Sequence, residues 1–291
     1  KDAAQILLSI NSKYQSITGD GLYEFMNTMD LDLSDLPDIE LPDINIEDFG
    51  KEYFDDAKKG KTEDDEIPST IKARVKRGDI WFLGNNKLMC GDSTQISNLR
   101  EIIGSEKVKL LFTDPEYDLT IDFLLPVKEV VKNFEALVLG GDKQLVNLAV
   151  GHQGNFCHYY VLVYDQGKWS NFRMDAPLLG HTLVAYYNFK QKRSRKKGLK
   201  TTINFTSLYG DNDEFSHGKK VAIPQTFLHY FTQENDIILD IFGGIGSTLI
   251  AAESLNRRCF LFELEEKRCD VILTRWENYT GRKAKKLGGE I

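Results

Sequence analysis

Ile237-Ile-Leu-Asp-Ile-Phe-Gly-Gly-Ile-Gly-Ser-Thr248, carried on by Leu249–Leu255 and by Arg258-Cys-Phe-Leu-Phe-Glu263, is the stretch that decides the fold. An apolar strand-like run over Ile237–Leu239 ends at Asp240, and a glycine-rich turn follows. Ser247–Leu255 then has a helical pattern, and Arg258–Phe262 is a second strand. Strand, turn, helix, strand is a βαβ unit; it implies a parallel sheet and places the chain in the α/β class. Glycines 243, 244 and 246 let the backbone turn sharply and let a ligand come close to the main chain. Glu263 ends the second strand 23 residues after Asp240, where a carboxylate can grip the hydroxyls of a ribose. No Gly-Lys-Ser/Thr follows the glycines, which excludes a triphosphate-binding P-loop. The combination points to a nucleoside-containing cofactor.

The pattern extends in both directions from this unit. Downstream, an amphipathic helix is expected from about Glu265 to Tyr279, with Gly281 as its stop. Upstream, Val108–Phe112 reads as a buried strand ending in Thr113-Asp114-Pro115-Glu116-Tyr117. Open α/β sheets bind ligands at that edge, where a carboxylate and a proline carbonyl can accept hydrogen bonds from an exocyclic amino group. A neighbouring tyrosine can stack on a planar base drawn out of its helix. Asp79–Leu83 and Lys87–Met89 flank Gly84-Asn85-Asn86 as a hairpin, and the second run ends at Cys90-Gly91-Asp92. Asp92 is placed either to accept from an amino group of the cofactor's base or to cap a helix starting near Ile96. Apolar strands and amphipathic helices alternate from there to about residue 187.

Composition narrows the function classes. The 291 residues are 41% apolar and 28% charged, an ordinary globular mix, with no run of 18 apolar residues to span a membrane. The cysteines, at 90, 157, 259 and 269, form no Cys-x-x-Cys pair, and the histidines show no ligand spacing, so neither a metal site nor a disulfide framework is expected. The chain opens Lys-Asp-Ala-Ala with no leader and reads as a cytoplasmic piece of something longer. Its net charge of −7 is unevenly spread: residues 1–70 hold 18 acidic and 6 basic side chains, the remainder 26 and 31. Residues 3–30 read as helix, and Leu31–Pro68 as an acidic linker; together they form an arm over 1–70, ahead of a main domain at 71–291. Within Lys190–Lys200 seven of eleven residues are basic, among them Lys190, Lys192, Arg193, Arg195, Lys196 and Lys197, which suits salt-dependent contact with phosphates.

The order and spacing of these pieces resemble the β group of amino-methylating DNA methyltransferases, in which an Asp-Pro-Pro-Tyr block precedes a Phe-x-Gly-x-Gly cofactor block. The resemblance runs from about Gly78 to Ala284 and includes Arg275-Trp276-Glu277, Thr280-Gly281 and His217-Gly-Lys-Lys-Val221. It implies a Rossmann-like S-adenosylmethionine-dependent fold with circularly permuted motif order, and a target-recognition region near 165–215. By the same resemblance Asp240, Phe242, Gly243, Gly244 and Gly246 would border S-adenosylmethionine, Glu263 its ribose and Asp92 its adenine. Lys219, Lys220 and Val221 would line its methionine end, while Asp114, Pro115 and Tyr117 would handle the target base. Double-stranded DNA is the implied partner, adenine N6 the first target and cytosine N4 the second; a homodimer is compatible. The N-terminal piece resembles the acidic stretch after a ParB-like domain in fused ParB–methyltransferase proteins. None of the cysteines follows a proline, so cytosine C5 chemistry is not expected.

Three motif positions depart from the family. Glu116 replaces the second proline of Asp-Pro-Pro-Tyr, Ile241 and Ile245 alter the glycine block, and Lys220 replaces a proline before Val221. Two readings stay open: an active enzyme adapted to Glu116, or a relative that binds DNA or a partner without methylating.

Overall fold

The computed structural model describes residues 18, 21–22, 25–26, 59–69, 71–116, 121–140, 142–164, 181–189, 202–205 and 220–288. The chain divides into two compact units, Lys1–Ala57 and Lys58–Ile291. In the first, residues 21–22 and 25–26 are helical, and the Thr18 hydroxyl accepts the Gly21 N–H at 3.1 Å as an N-cap. The rest of the helix expected over 3–30 lies outside the described residues, as does most of the acidic linker.

The second unit is built on one sheet. Its strands are β1 (Ile80–Leu83), β2 (Asn86–Cys90), β3 (Val108–Thr113), β4 (Phe134–Gly140), β5 (Phe156–Tyr164), β6 (His181–Phe189), β7 (Thr202–Phe205), β8 (Ile237–Asp240), β9 (Arg258–Glu263) and β10 (Lys285–Lys286). The helices are α1 (Ile96–Ile103), α2 (Leu124–Val130), α3 (Asp142–Gly151), α4 (Ala222–Phe231), α5 (Ser247–Ser254) and α6 (Glu266–Thr280). Among the described residues the strand order is β10-β1-β2-β9-β8-β3-β4-β6-β5-β7.

The central strands β2, β9, β8, β3 and β4 are parallel. The flanks are not: β1 pairs antiparallel with β2, and β6 runs antiparallel between β4 and β5. The parallel pairing expected from the sequence therefore holds at the centre and again in the β5–β7 pair at one edge. β6 and β7 fall inside the range 165–215 and form part of the sheet.

Side-chain alternation along the central strands feeds two apolar layers. Leu110, Phe112, Leu137, Ile238 and Leu261 point to one face, where α4, α5 and α6 pack. Leu111, Ala136, Val138, Leu239 and Phe260 point to the other, under α1, α2 and α3. Each fully buried leucine or phenylalanine contributes about 1.5–3 kcal/mol, so with both faces covered the centre of the sheet is the rigid part of the unit. Within β4, Glu135 is buried, but it accepts the Tyr186 hydroxyl and meets Lys109 at 3.4 Å.

Residues 59–77 lie along α6 and are held there by polar contacts. Lys61 N–H donates to the Tyr279 carbonyl at 2.7 Å, and Arg74 and Val75 N–H both donate to Asp270. Arg74 makes a two-pronged pair with Glu277 at 3.0 and 2.9 Å. Gly281 ends α6 in the left-handed conformation. Among the described residues no helix is long and apolar enough to cross a membrane.

Candidate functional site

The parallel strands deliver their carboxyl ends to one edge, and a cavity of about 710 Å³ opens there. Asp92 after β2, Asp114 after β3, Asp240 at the end of β8 and Glu263 at the end of β9 all line it. They are up to 171 positions apart in sequence and share a wall because β2, β9, β8 and β3 are neighbours in the sheet. With Glu116 and Glu265 the wall carries six carboxyl groups against the guanidiniums of Arg77 and Arg268. A cavity of this sign attracts cationic ligands.

Asp240 ends β8, which lies between β9 and β3 in the sheet. Its Oδ1 accepts the Thr113 hydroxyl and the Phe242 N–H, each at 3.1 Å. It is 3% exposed. Burial raises its pKa to about 6, and the nearby Asp114 adds to this, while hydrogen bonds from Thr248, Phe242 and Thr113 oppose it. Beyond it the turn packs against β9: Gly243 N–H donates to the Phe262 carbonyl at 2.7 Å. A Cβ on Gly243 would lie 2.9 Å from that carbonyl oxygen, so only glycine allows the approach. Gly244 has φ +55°, and a Cβ there would meet nothing within 4 Å. Its backbone is therefore bare towards open space beside the cavity.

Glu263 is 6% exposed, and both of its carboxylate oxygens are engaged. One accepts Gly244 N–H and the other Glu265 N–H, each at 2.8 Å. Burial pushes its carboxyl above the ordinary value; the Glu265 and Gly244 N–H groups and the Arg268 charge offset this only in part. Asp92 has the opposite balance. Burial works against its charge, but the Thr94 hydroxyl at 2.7 Å, the Thr94 N–H at 2.8 Å and the Gln95 amide outweigh burial and hold it below the usual range. The Asp92 carboxylate thus makes a local turn to Thr94. α1 takes Gln95 as its N-cap, with no side-chain cap, which corrects the alternative that Asp92 caps that helix. Ser93 donates to the Ile241 carbonyl at 2.9 Å and ties this turn to the glycine block.

After β3, Asp114 is half-buried, Pro115 buried and Glu116 exposed, and all three line the cavity. Gln144, in the first turn of α3, donates from Nε2 to the Glu116 carbonyl at 2.9 Å. Tyr117 lies outside the described residues, and so do Lys219, Lys190, Lys192, Arg193, Arg195, Lys196, Lys197 and His217. Of the segment expected at the methionine end, Val221 is buried in the core and Lys220 is half-exposed; neither lines the cavity. Ile223 and Pro224, one turn further on, do line it. Gly246 sits just outside the lining, between Ile245 and Ser247, which belong to it.

Several contributors have no counterpart in the sequence reading. Arg77, Ile223, Pro224 and Arg268 join the wall through long-range packing, and of these only Pro224 carries a local signal, as a proline in the first turn of a helix. Arg275, noted only as part of a motif, is 3% exposed and donates to the Ile245 carbonyl at 3.2 Å and the Asp64 carbonyl at 2.7 Å. It joins the glycine turn to the segment over 59–69. Among the described residues no group of acidic, histidine and cysteine side chains is placed to hold a metal ion.

A family model described as DNA methylase matches residues 48–274, well over half of the chain. Among curated proteins, the Type II methyltransferase M.BamHI of Bacillus amyloliquefaciens is 28% identical over 149 residues, 48% of this chain and 34% of that protein. The match thus spans about a third of the relative's length. Among solved structures, the M1.HpyAVI–SAM complex superposes with a TM-score of 0.55 at 20% identity, over 65% of this chain and 97% of that one. The cytosine-N4-specific PvuII DNA methyltransferase gives 0.50 at 15% identity, over 68% and 94%. These two likenesses are likenesses of fold.

Proposed function

The chain belongs to the DNA methylase family of N6 and N4 amino-methyltransferases, and from that premise we propose that it methylates an exocyclic amino group in DNA, using S-adenosylmethionine. Adenine N6 is the first target and cytosine N4 the second. The observation that carries this reading is a single cavity bordered by Asp114-Pro115 on one strand end and by the glycine turn with Glu263 on its neighbours.

The cavity suits such a cofactor. Gly244 leaves bare main chain beside it, and Glu263 and Asp92 supply carboxylates for ribose hydroxyls and a base amino group. The Glu263 carboxylate, held by the Gly244, Glu265 and Leu264 N–H groups, keeps lone-pair capacity for a hydroxyl. Ile241, Phe242, Ile245 and Leu264 add apolar surface. The six carboxyl groups favour the cofactor's positive charge. When bound, the cofactor supplies an electrophilic methyl group on a sulfonium.

The chain's own residues act on the target amine, whose lone pair is delocalised into the ring. The Asp114 carboxylate and the Pro115 carbonyl accept its N–H hydrogens and favour the pyramidal, nucleophilic form. Holding that nitrogen in line supplies several kcal/mol of acceleration, part of the roughly 7–11 kcal/mol that orientation can provide. Tyr117 stacks on the base, and Lys190, Lys192, Arg193, Arg195, Lys196 and Lys197 contact phosphates.

The test is incubation with unmethylated DNA and S-adenosylmethionine, then digestion to nucleosides and mass spectrometry, with Asp114→Ala as control. An N6-methyladenine or N4-methylcytosine peak that disappears in the variant is expected, and it identifies the base. Cofactor binding without product overturns the catalytic reading and leaves a DNA- or partner-binding relative in which Glu116 has replaced the second proline.

A further inference from the structure

We infer that Gln144 is a positioning residue: its side-chain amide clamps the main chain at Glu116 and thereby takes over the restraint that a proline at that position would supply. This rests on the proposed function, since it assigns a task to the loop that carries Asp114.

The argument begins with the loop. Asp114-Pro115-Glu116 leaves the end of β3, and Pro115 fixes its own φ, but Glu116 is free to rotate about both backbone bonds. Its side chain is exposed. Gln144 reaches the loop from the next crossover, 28 residues on, with Nε2 2.9 Å from the Glu116 carbonyl oxygen. It is 7% exposed and sits in the first turn of α3. A buried amide loses little extra rotamer freedom when it makes this bond, so the bond fixes the peptide after Glu116, the link that leads to Tyr117.

A second observation concerns the space that Gln144 occupies. Gly140 is the last residue of β4, and a Cβ built on it would fall 2.7 Å from Gln144 Oε1. The missing side chain at 140 is what lets the amide lie over the strand end. Gly140 and Gln144 therefore work as a pair: glycine makes room for the amide oxygen, and the amide nitrogen is left to donate to Glu116.

The experiment is a double-mutant cycle with two readouts. Wild type, Gln144→Ala, Glu116→Pro and the double variant are compared for single-turnover methyl transfer, and for amide hydrogen exchange of the segment carrying Asp114–Glu116. Gln144→Glu, which keeps size but removes the donor, covers the case in which the alanine variant misfolds. Gln144→Ala and Gln144→Glu are expected to lower the transfer rate roughly three- to tenfold, the worth of one hydrogen bond, with S-adenosylmethionine affinity unchanged. Exchange should quicken in the Asp114–Glu116 segment and stay as it was around Gly243–Gly246. Glu116→Pro should recover most of the lost rate in the Gln144→Ala background. Independent effects of the two substitutions, or unaltered exchange in the loop, would overturn the inference. A wild-type chain that transfers no methyl group would count against the functional reading alone, and the exchange measurement would then decide for or against Gln144.

Discussion

Asp240→Asn should make the protein more stable at pH 8, with most of that gain gone by pH 4. The carboxyl is 3% exposed, and its pKa in the folded chain is about 6 against an ordinary 3.8. The folded chain therefore binds more protons than the unfolded chain between these values. Stability falls as pH rises through that window, and the deficit persists above it. At 1.36 kcal/mol for each tenfold change in proton affinity, the gap amounts to about 3 kcal/mol. Asparagine keeps an oxygen for the Thr113 hydroxyl and the Phe242 N–H but carries no charge to desolvate. In urea unfolding without cofactor, followed by tryptophan fluorescence, the variant should gain up to about 3 kcal/mol at pH 8, or roughly 5–10 °C in Tm. Near pH 4 the gain should fall below about 1 kcal/mol. Contributions from titrating groups that do not interact with Asp240 cancel in the difference between the two proteins. The same variant should bind S-adenosylmethionine more weakly, because a buried charge that destabilises the fold is retained for its ligand. A stability difference that is constant from pH 4 to 8, or a loss at pH 8, would refute the reasoning and show that the surrounding hydrogen bonds fully compensate the charge.

Glu263→Ala should weaken S-adenosylmethionine binding by tenfold or more in calorimetry, since one or two hydrogen bonds to a carboxylate contribute about 1.5–3 kcal/mol each; unchanged affinity would remove Glu263 from the site. Gly243→Ala sets a Cβ 2.9 Å from the Phe262 carbonyl oxygen and 3.1 Å from Leu261. It should cost about 1–3 kcal/mol of stability by urea titration, and a neutral result would mean that the turn can shift. Arg275→Met fills the space but leaves the Ile245 and Asp64 carbonyls without their donor. With the buried Ile245 carbonyl costing about 1–3 kcal/mol and the half-exposed Asp64 carbonyl less, a total loss below about 1 kcal/mol would show that the contact is dispensable.

The glycine turn and its flanking elements were legible because their signals are local. The expected strand at Ile237–Leu239 became β8, and the helix over Ser247–Leu255 became α5. The helix near Glu265–Tyr279 closed at Gly281 as read. The hairpin around Gly84–Asn86 was found as β1 and β2, with Asn86 already in the strand. The insertion of antiparallel β6 between β4 and β5 was not legible. Nothing in His181–Phe189 distinguishes an antiparallel strand from a parallel one, because pairing direction is set by partners on β4 and β5, distant in sequence. Whether Lys220 and Val221 reach the cavity was not legible for a similar reason. Which residues of the segment from Lys219 onward face the cavity depends on how α4 docks, and its start is held by the Asp65 carboxylate accepting Val221 N–H at 2.8 Å.

Sequence alone determined the α/β class, the resemblance to amino-methylating DNA methyltransferases and the candidates Asp92, Asp114, Asp240 and Glu263, since each sits at the end of a strand that its own neighbours specify. Tertiary structure decided which of these groups share a wall, that burial holds the pKa of Asp240 near 6, that Arg275 ties the glycine turn to the segment before β1, and that Gln144 reaches Glu116. These depend on desolvation and on contacts between distant segments, and such quantities exist only once the strands are side by side.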